Sequence, residues 1–573
     1  MASVHGGNVW ATRPAAVEST FTPPNADRVL KLRGYRHFLR MPQDSERSRI
    51  FCTDAERKAQ LAMLYRLSKV MLPGDDKLLE NPFLPSGYTY LLQLVAHDCV
   101  HTPTPFWQIP KARAEARNHR GARLRLDTVY GNGPFGCPHA YAPDDDSDVT
   151  RTKLRLGPMS ARRPGPITPH TMRDLARVSI PGEDVKGQPV FADPMICDPR
   201  NEDNSLVAQM TTLWHMVHNS LVDVAGLPTG AAAQEHDREP VFAWARSATT
   251  MIYRRIIRKD LLRRLLDPTV YARYAKAGLD DLLDHDPDPD RTSLSVPLEF
   301  SHGAMRFAHA MIRPTYDITG DFTRSIDDAL RASSARGPRT MPLTRDWIVQ
   351  WGRFLEVPGE DGARPTKPRN FSLRIRPTYV SPLHGSALFP GPVAGTSGLP
   401  LQDMLSAGDA QLWSVSALHA AILARARELG WEKPFGELQI ATDTPRTKAI
   451  AAWLRRNANS FDPFPKAEAE MLSSDPPLPF YVQFEAWNCH QGYHLGPLGS
   501  ILLAETLFGV MLTDPLPGET ADGPLVGSLT DLARSLDLTI KRPADLPEID
   551  DMGALVRFVA RIQGLGNAEP PFV

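Results

Sequence analysis

Three groups of residues in this 573-residue chain have types and spacings that could do chemistry. The first is Gln93-Leu-Val-Ala-His97-Asp98-Cys-Val-His101. Residues four apart share a helix face, so Gln93 aligns with His97 and His97 with His101. Two histidines at this spacing are the frame of the HExxH zinc motif, in which a Glu acts as base. Asp98 takes the place of that Glu, its side chain is short for the task, and no third ligand follows. Taken alone, the motif reads first as a core helix with partly exposed histidines. The second group is Asp198-Pro-Arg200-Asn-Glu202-Asp203-Asn204, leading to Leu213-Trp-His215-Met-Val-His218-Asn219. A proline at a helix start and acidic residues in the first turn make a well-capped helix. Arg200 at the mouth of that apolar helix also suits an anionic or peroxidic ligand, whereas His215 and His218 read as structural. The third is Phe300-Ser-His302-Gly-Ala-Met-Arg306-Phe307-Ala308-His309-Ala-Met-Ile312, where small neighbours would let a flat macrocycle approach His309. Taken alone, His309 reads as a hydrogen-bonded core histidine.

The elements that must position these groups are helical. The Asp54–Leu72 stretch is amphipathic, Ser86 caps a helix through Val100, and Asn204–Val224 repeats Leu206, Met210, Leu213, Val217 and Leu221 at helical spacing. Further helices are expected at about 238–266, 297–312 (stopped by Pro314), 343–355, 409–430, 446–458, 478–490, 497–513, 525–535 and 551–564. The 53 prolines cluster between these runs, which describes helices joined by long irregular loops. The fold class is mainly α with little β structure. An extended N-terminal arm over 1–45 precedes one large unit over 46–573.

Bulk properties narrow the class. Lys plus Arg is 65 against Asp plus Glu at 66, so no overall field draws in nucleic acid. Five scattered cysteines without CxxC spacing argue against a disulfide framework or a zinc ribbon. No secretory signal and no apolar run long enough to span a membrane are seen, so the expected location is cytoplasmic and the partners are small molecules.

Together and in this order, the three groups resemble the animal heme peroxidase (peroxidase–cyclooxygenase) superfamily, bacterial-type members included. That family places a distal histidine in a Q-x-x-x-H-D helix, matched by Gln93, His97 and Asp98. Its distal arginine opens a G-D-x-R-x-x-E segment leading to an H-N pair, matched by Asp198, Arg200, Asp203, His218 and Asn219. Its proximal histidine lies in an F-R-x-G-H-type helix, matched by Arg306, Phe307, Ala308 and His309. Leu399-Pro-Leu-Gln-Asp403 looks like the segment that holds the proximal histidine, and 478–515 looks like the closing helices. The resemblance covers about 80–573 and implies a single helical heme-peroxidase domain containing heme b. His309 would be the iron ligand, with Asp203, Arg306 and Asp403 around the cofactor. His97 would be the acid–base group, helped by Arg200 and Gln93.

The departures from the family pattern carry their own expectations. Ala96 stands at one of the two heme-ester positions and cannot form the bond, and Asp203 is one methylene shorter than the usual Glu, so at most one ester link, through Asp203, is expected. Asn204 replaces a methionine of the halide-active members. Asp98 marks the family's calcium position, but Arg125 falls where a ligand carboxylate belongs, and a cation does not coordinate Ca²⁺. The expectation is that Arg125 replaces the ion by pairing with Asp98 or Asp127. Asp403, for Asn, would push His309 toward imidazolate character.

The activity implied is reduction of hydrogen peroxide or an organic peroxide, with oxidation of a small aromatic donor. The alternatives are a fatty-acid or small-molecule dioxygenase of the same superfamily, an HxxxH zinc hydrolase, and a non-catalytic heme-fold scaffold. The dioxygenases carry a radical tyrosine three residues before the proximal histidine, and Arg306 occupies that position; Tyr316 is a candidate substitute.

Overall fold

The computed structural model describes residues 35–39, 42–50, 54–73, 78–102, 118–120, 123–144, 151–160, 168, 170–183, 189–228, 235–277, 282, 296–360, 363–385, 387–458, 463–520 and 522–573. The architecture is mainly α. Five two-stranded antiparallel pairings make up the β structure of the described residues, and none joins another into a larger sheet. No helix among them is long and apolar enough to cross a membrane.

The centre of the molecule is the Ser205–Ala225 helix, buried along almost its whole circumference. A helix apolar on all sides belongs inside a core, and each large side chain removed from water contributes roughly 1.5–3 kcal/mol. Its start is fixed by Asn204, whose side-chain oxygen accepts from the Leu206 and Val207 amides at 3.1 and 2.9 Å. The Gly87–Cys99 helix packs against it. Glu235–Ile256 runs alongside and continues through one wide π turn, Ile257–Leu261, into Leu262–Leu265. The helices Leu478–His490, Pro497–Thr513, Leu525–Ser535 and Met552–Ile562 follow the expected spans.

Four expectations about local structure are corrected. Ser86 stands before the Gly87–Cys99 helix but makes no side-chain cap; its amide donates to the Asn370 carbonyl at 2.9 Å instead. Residues 343–355 form short 3₁₀ turns rather than a helix, because their amides bond elsewhere: Val349 to Gln209 Oε1, Gln350 to the Ile318 carbonyl, and Trp351 to the Phe572 carbonyl. Around residue 400 the helix begins earlier than expected, as Leu399–Asp409, then stops and restarts as Val415–Glu428. The segment carrying His309 is not a regular α-helix. Glu299–Gly303 makes a π turn, Gly303 leaves helical geometry at φ −113°, ψ −94°, and Ala304–Met311 winds as a tighter 3₁₀ run. Such breaks in helical period re-aim side chains and recur at functional sites.

Of the N-terminal arm, residues 1–34, 40 and 41 lie outside the described residues. Tyr35–Phe38 is extended and docks on that π turn: Leu298 N donates to the Arg36 carbonyl at 2.8 Å, and Glu299 takes His37 Nδ1 at 2.7 Å and Phe38 N at 2.6 Å.

Candidate active site

His97 is buried near the end of the Gly87–Cys99 helix, with Nδ1 3.0 Å from Asn201 Oδ1. The Asn201 amide is oriented by its other contact, Nδ2 donating to the Thr128 carbonyl at 3.1 Å. A carbonyl only accepts, so Asn201 presents oxygen to His97 and His97 Nδ1 must be the donor. The lone pair therefore sits on Nε2. Burial, reinforced by the Arg200 guanidinium, brings the His97 pKa down to about 3, so the ring is neutral at pH 7. Gln93, one turn earlier, accepts from Asn204 Nδ2 at 3.2 Å.

Arg200 is fixed from several directions. Asp198, at the start of the Pro199–Glu202 turn, accepts from Arg200 N and Nε at 3.1 and 3.0 Å and from Nη2 at 2.7 Å. Arg200 Nη2 also donates to the His97 carbonyl at 2.7 Å, and Nη1 to the Val100 carbonyl. Burial works against the charge on Asp198, but Arg200 and Arg120 hold its carboxyl well below the usual range. Arg200 thereby closes the end of the His97 helix onto the turn that carries Asn201. Asp203 lines the cavity described below, while its neighbour Glu202 turns away to Arg177 and the Ser334 amide. His215 and His218 bond the Arg155 and Thr152 carbonyls, and Asn219 pairs with both backbone groups of Leu154, so these three brace the short strands of that region.

The pairing expected for Arg125 is not the one found. Its Nη2 donates to Asp514 at 2.7 Å, and Asp127 faces Arg246 instead. Asp98 accepts from the Leu126 and Thr128 amides at 3.0 and 3.2 Å, so backbone N–H groups, not a guanidinium, close on the carboxylate. Burial and the nearby Asp127 raise the Asp98 pKa to about 7. Leu124 and Leu126 adopt positive φ of 48° and 57° to make this closure, a conformation that is costly for a residue with a Cβ. Among the described residues no cluster of three His, Cys, Asp or Glu could hold a metal ion, so the HxxxH zinc reading gains no third ligand.

His309 Nδ1 lies 2.7 Å from Asp403 Oδ2, and Asp403 is almost fully buried in the Leu399–Asp409 helix. Tyr379 donates its hydroxyl to the same carboxylate oxygen at 2.9 Å and receives Gln483 Nε2 at 2.8 Å. Arg306 Nη1 stands 3.5 Å from Asp403 Oδ1. A carboxylate behind an imidazole fixes the tautomer and raises the basicity of the other nitrogen.

One cavity joins the two histidines. Gln93, Ala96, His97, Arg200 and Asp203 line it from one set of elements, and Arg306, Ala308 and His309 from another. Counting the space at its open mouth, it spans about 1520 Å³. Asp403 is not a wall of the cavity and reaches it through His309. Tyr316 is also off the wall; its hydroxyl accepts from the Arg313 amide, and its ring meets the edge of Tyr90, which does line the cavity.

Four residues of this site are not apparent from the sequence. Asn201 lies inside the Arg200 segment, and an Asn two positions after a helix-starting proline was the available signal. Tyr379 and Gln483 come from distant segments, and nothing local marks them. Tyr35 is the fourth, its ring edge-on to His302 at 5.3 Å and its hydroxyl 2.5 Å from Thr102 Oγ1, both partners being cavity residues.

Residues 156–351, a span that includes Arg200, Asn201 and His309, match the family model described as Animal haem peroxidase. No curated protein is matched. Among solved structures, peroxidase A from Dictyostelium discoideum aligns at 12% identity and TM-score 0.49, covering 93% of this chain and 94% of that one. The fatty acid alpha-dioxygenase of Arabidopsis thaliana aligns at 13% identity and TM-score 0.39, with coverages of 84% and 81%. That of Oryza sativa aligns at 10% and 0.39, with coverages of 83% and 80%. The family match falls on the segments that carry Arg200 and His309, and over that span the chain is similar to the animal haem peroxidase family.

Proposed function

We propose that the chain is a heme-dependent peroxidase, reducing hydrogen peroxide or an organic peroxide at the expense of a small aromatic donor. The observation that carries this reading is the fixed tautomer of His97: Nδ1 donates to Asn201, which leaves Nε2 as a neutral base in the cavity shared with His309.

The residues present fit the cofactor. His309, its Nδ1 set against Asp403, would hold iron through Nε2. Ala96 and Ala308 give little bulk where a flat ring would lie, and Arg306 and Arg336 at the wall suit two propionates. Asp203 would be the one carboxylate able to form an ester, since Ala96 has none to offer. Bound there, heme b would supply the redox chemistry between peroxide and a donor.

The protein's own part is proton handling and positioning. His97 Nε2 takes a proton from one peroxide oxygen and returns it to the departing one, a general acid–base task for which a ring neutral at pH 7 is required. Arg200 keeps one Nη1 proton beyond its bonds to Asp198, His97 and Val100, and this proton can meet charge developing on the departing oxygen. Its larger task is to hold the His97 helix against the Asn201 turn. Gln93 orients a small donor or water over the site. Arg306, standing where the dioxygenases carry their tyrosine, favours peroxidase over oxygenase.

Purified protein supplemented with heme should develop a Soret band that His309→Ala abolishes. Peroxide-dependent oxidation of a phenol panel should fall by about 10²–10⁴ in His97→Ala, the usual worth of a general acid–base group. Absence of the Soret band in the parent protein, or full activity in His97→Ala, would refute the proposal.

A further inference from the structure

We propose that Cys137 and Cys197 form a dithiol that peroxide converts to a disulfide, a modification site beside the turn that carries Arg200. The pair is invisible in the sequence, where 60 positions separate two cysteines without a motif. In the fold both sulfurs lie against Gly131. A Cβ placed on that glycine would stand 2.8 Å from Cys137 Sγ and 2.8 Å from Cys197 Sγ. Gly131 adopts φ +52°, and its missing side chain is what lets the two thiols share this space. Both cysteines are free and only partly buried, whereas Cys99 is fully buried on the His97 helix. Cys137 follows Gly133–Gly136, a surface turn whose Phe135 is 61% exposed, so a small oxidant can reach it.

The two thiols are not equivalent. The neighbouring Cys197 thiol, with the Asn132 backbone, His139 and Arg120, outweighs burial and brings the Cys137 thiol down to about 6. Cys197 is pushed well above its ordinary range by the neighbouring Cys137 and by burial. Cys137 is therefore a thiolate at neutral pH, and thiolates are the attacking species. Its sulfur attacks one oxygen of hydrogen peroxide, the O–O bond breaks, and the other oxygen leaves as hydroxide, which takes up the proton released when Cys137 ionised and becomes water, giving a sulfenic acid. The Cys197 sulfur, giving up its proton, then attacks that sulfenic sulfur, the S–O bond breaks, and a second water leaves. Two thiols lose two electrons and two protons, and one peroxide becomes two waters.

The position gives the bond a consequence. Cys197 adjoins Asp198, which anchors Arg200, and Cys137 follows the Gly133–Gly136 turn, shortly after the Asp127–Tyr130 turn that carries Thr128. These two segments are already laced by Thr128 Oγ1 to Asp198 at 3.0 Å and by Asn201 Nδ2 to the Thr128 carbonyl at 3.1 Å. A disulfide would tie the same segments covalently and hold Asn201 in register with His97.

Peptide mapping tests this on the full-length holoprotein. Reduced protein is treated with a few equivalents of hydrogen peroxide, quenched with N-ethylmaleimide, digested and analysed by mass spectrometry. The expected product is a Cys137–Cys197 linked peptide, absent in Cys137→Ser and in Cys197→Ser. Before oxidation, iodoacetamide should label Cys137 at pH 7 at least tenfold faster than Cys489, and Cys197→Ala should slow that labelling. Recovery of both cysteines as maleimide adducts after peroxide, their separate overoxidation without a link, or labelling of Cys137 no faster than Cys489 overturns the proposal.

Discussion

The Nδ1 of His309 and the Oδ2 of Asp403 stand 2.7 Å apart, and the same oxygen receives the Tyr379 hydroxyl at 2.9 Å. The carboxylate thus has two donors, and its negative charge is what the imidazole N–H feels. Asp403→Asn keeps the shape and removes the charge. The heme reduction potential should rise in this variant, and reaction with peroxide should slow by about 10–100-fold, the usual cost of losing an outer partner of a ligand. Tyr379→Phe should move the potential the opposite way by a smaller amount, because it removes a donor that drains charge from Asp403. Spectroelectrochemical titration and rapid mixing with peroxide measure both. An Asp403→Asn potential equal to that of the parent would break the link between this carboxylate and the iron.

Asn201 sets the His97 tautomer, so it should matter to proton transfer without touching heme. Asn201→Ala frees Nδ1 and lets the ring carry its proton on either nitrogen. The rate with peroxide should fall by at least about tenfold, with a smaller fall in heme affinity; general acid–base contributions of ~10²–10⁴ set the upper bound. Asn201→Asp retains an acceptor and should recover much of the rate, but its charge would raise the His97 pKa and bring an acid limb into the range above pH 5. Equal rates in Asn201→Ala and the parent would show that the contact at 3.0 Å has no role in the reaction.

The pKa of His97, lowered to about 3 by burial and Arg200, has a direct kinetic consequence. The base form is the reactive one, and it is lost only as pH falls through the folded value. The peroxide reaction should therefore change by less than about twofold between pH 7 and pH 5. A histidine at its ordinary ~6.5 would be only about 3% neutral at pH 5 and would lose most of its rate. Stopped-flow rates across this range decide the matter; an acid limb centred near pH 6.5 would show that His97 is not held as the structure has it.

How much of this site was legible in the sequence follows from where each signal resides. His97 and Gln93 share a helix, so a four-residue spacing joins them. Arg200, Asp203 and Asn204 crowd one helix start, where capping chemistry is strong and local. His309 was legible as a residue but not in its setting: helical spacing cannot foresee a π turn followed by a 3₁₀ run, since Gly303 breaks the period without a proline. Tyr379, Gln483 and Tyr35 were illegible because their relation to the site is tertiary. The error at Arg125 has the same origin. Its neighbour in sequence, Asp127, was a reasonable partner, but positive φ at Leu124 and Leu126 turns the loop so that backbone amides meet Asp98 and the guanidinium reaches Asp514 instead. Residues 343–355 carry helical spacing in a loop whose amides bond distant segments, at Gln209, Ile318 and Phe572.

The Asp98 carboxylate is engaged by two buried amides, those of Leu126 and Thr128. Two amide donors already engage this carboxylate, so dialysis against a calcium chelator should leave the thermal midpoint and the Soret band unchanged. Asp98→Ala should instead destabilise the protein by about 2 kcal/mol, because it strands two buried N–H groups. Denaturant unfolding of the variant and elemental analysis of the parent check the two halves. Stoichiometric calcium that leaves only with loss of the Soret band would restore a metal to this position.

Glu299 ties the N-terminal arm to the segment that carries His309. Its carboxylate accepts from His37 Nδ1 at 2.7 Å, Phe38 N at 2.6 Å and Trp413 N at 3.2 Å, and it is fully buried. Glu299→Ala strands three donors at once, each worth about 1–3 kcal/mol when left buried and unpaired. The arm should detach before the core unfolds, since two of the three donors, His37 and Phe38, lie on it and only the Trp413 amide belongs to the body of the fold. Detachment withdraws Tyr35 from Thr102 and His302 at the cavity wall, so the expected result is faster proteolytic cleavage near residues 30–45 together with a heme environment more open to solvent. Tyr35→Phe separates the two effects: it removes the hydroxyl contact to Thr102 and leaves Glu299 and the docked arm in place. Proteolysis should then stay at the parent rate while only the heme spectrum and ligand on-rates shift. Equal proteolysis in Glu299→Ala and the parent would show that the arm is held by something other than this carboxylate.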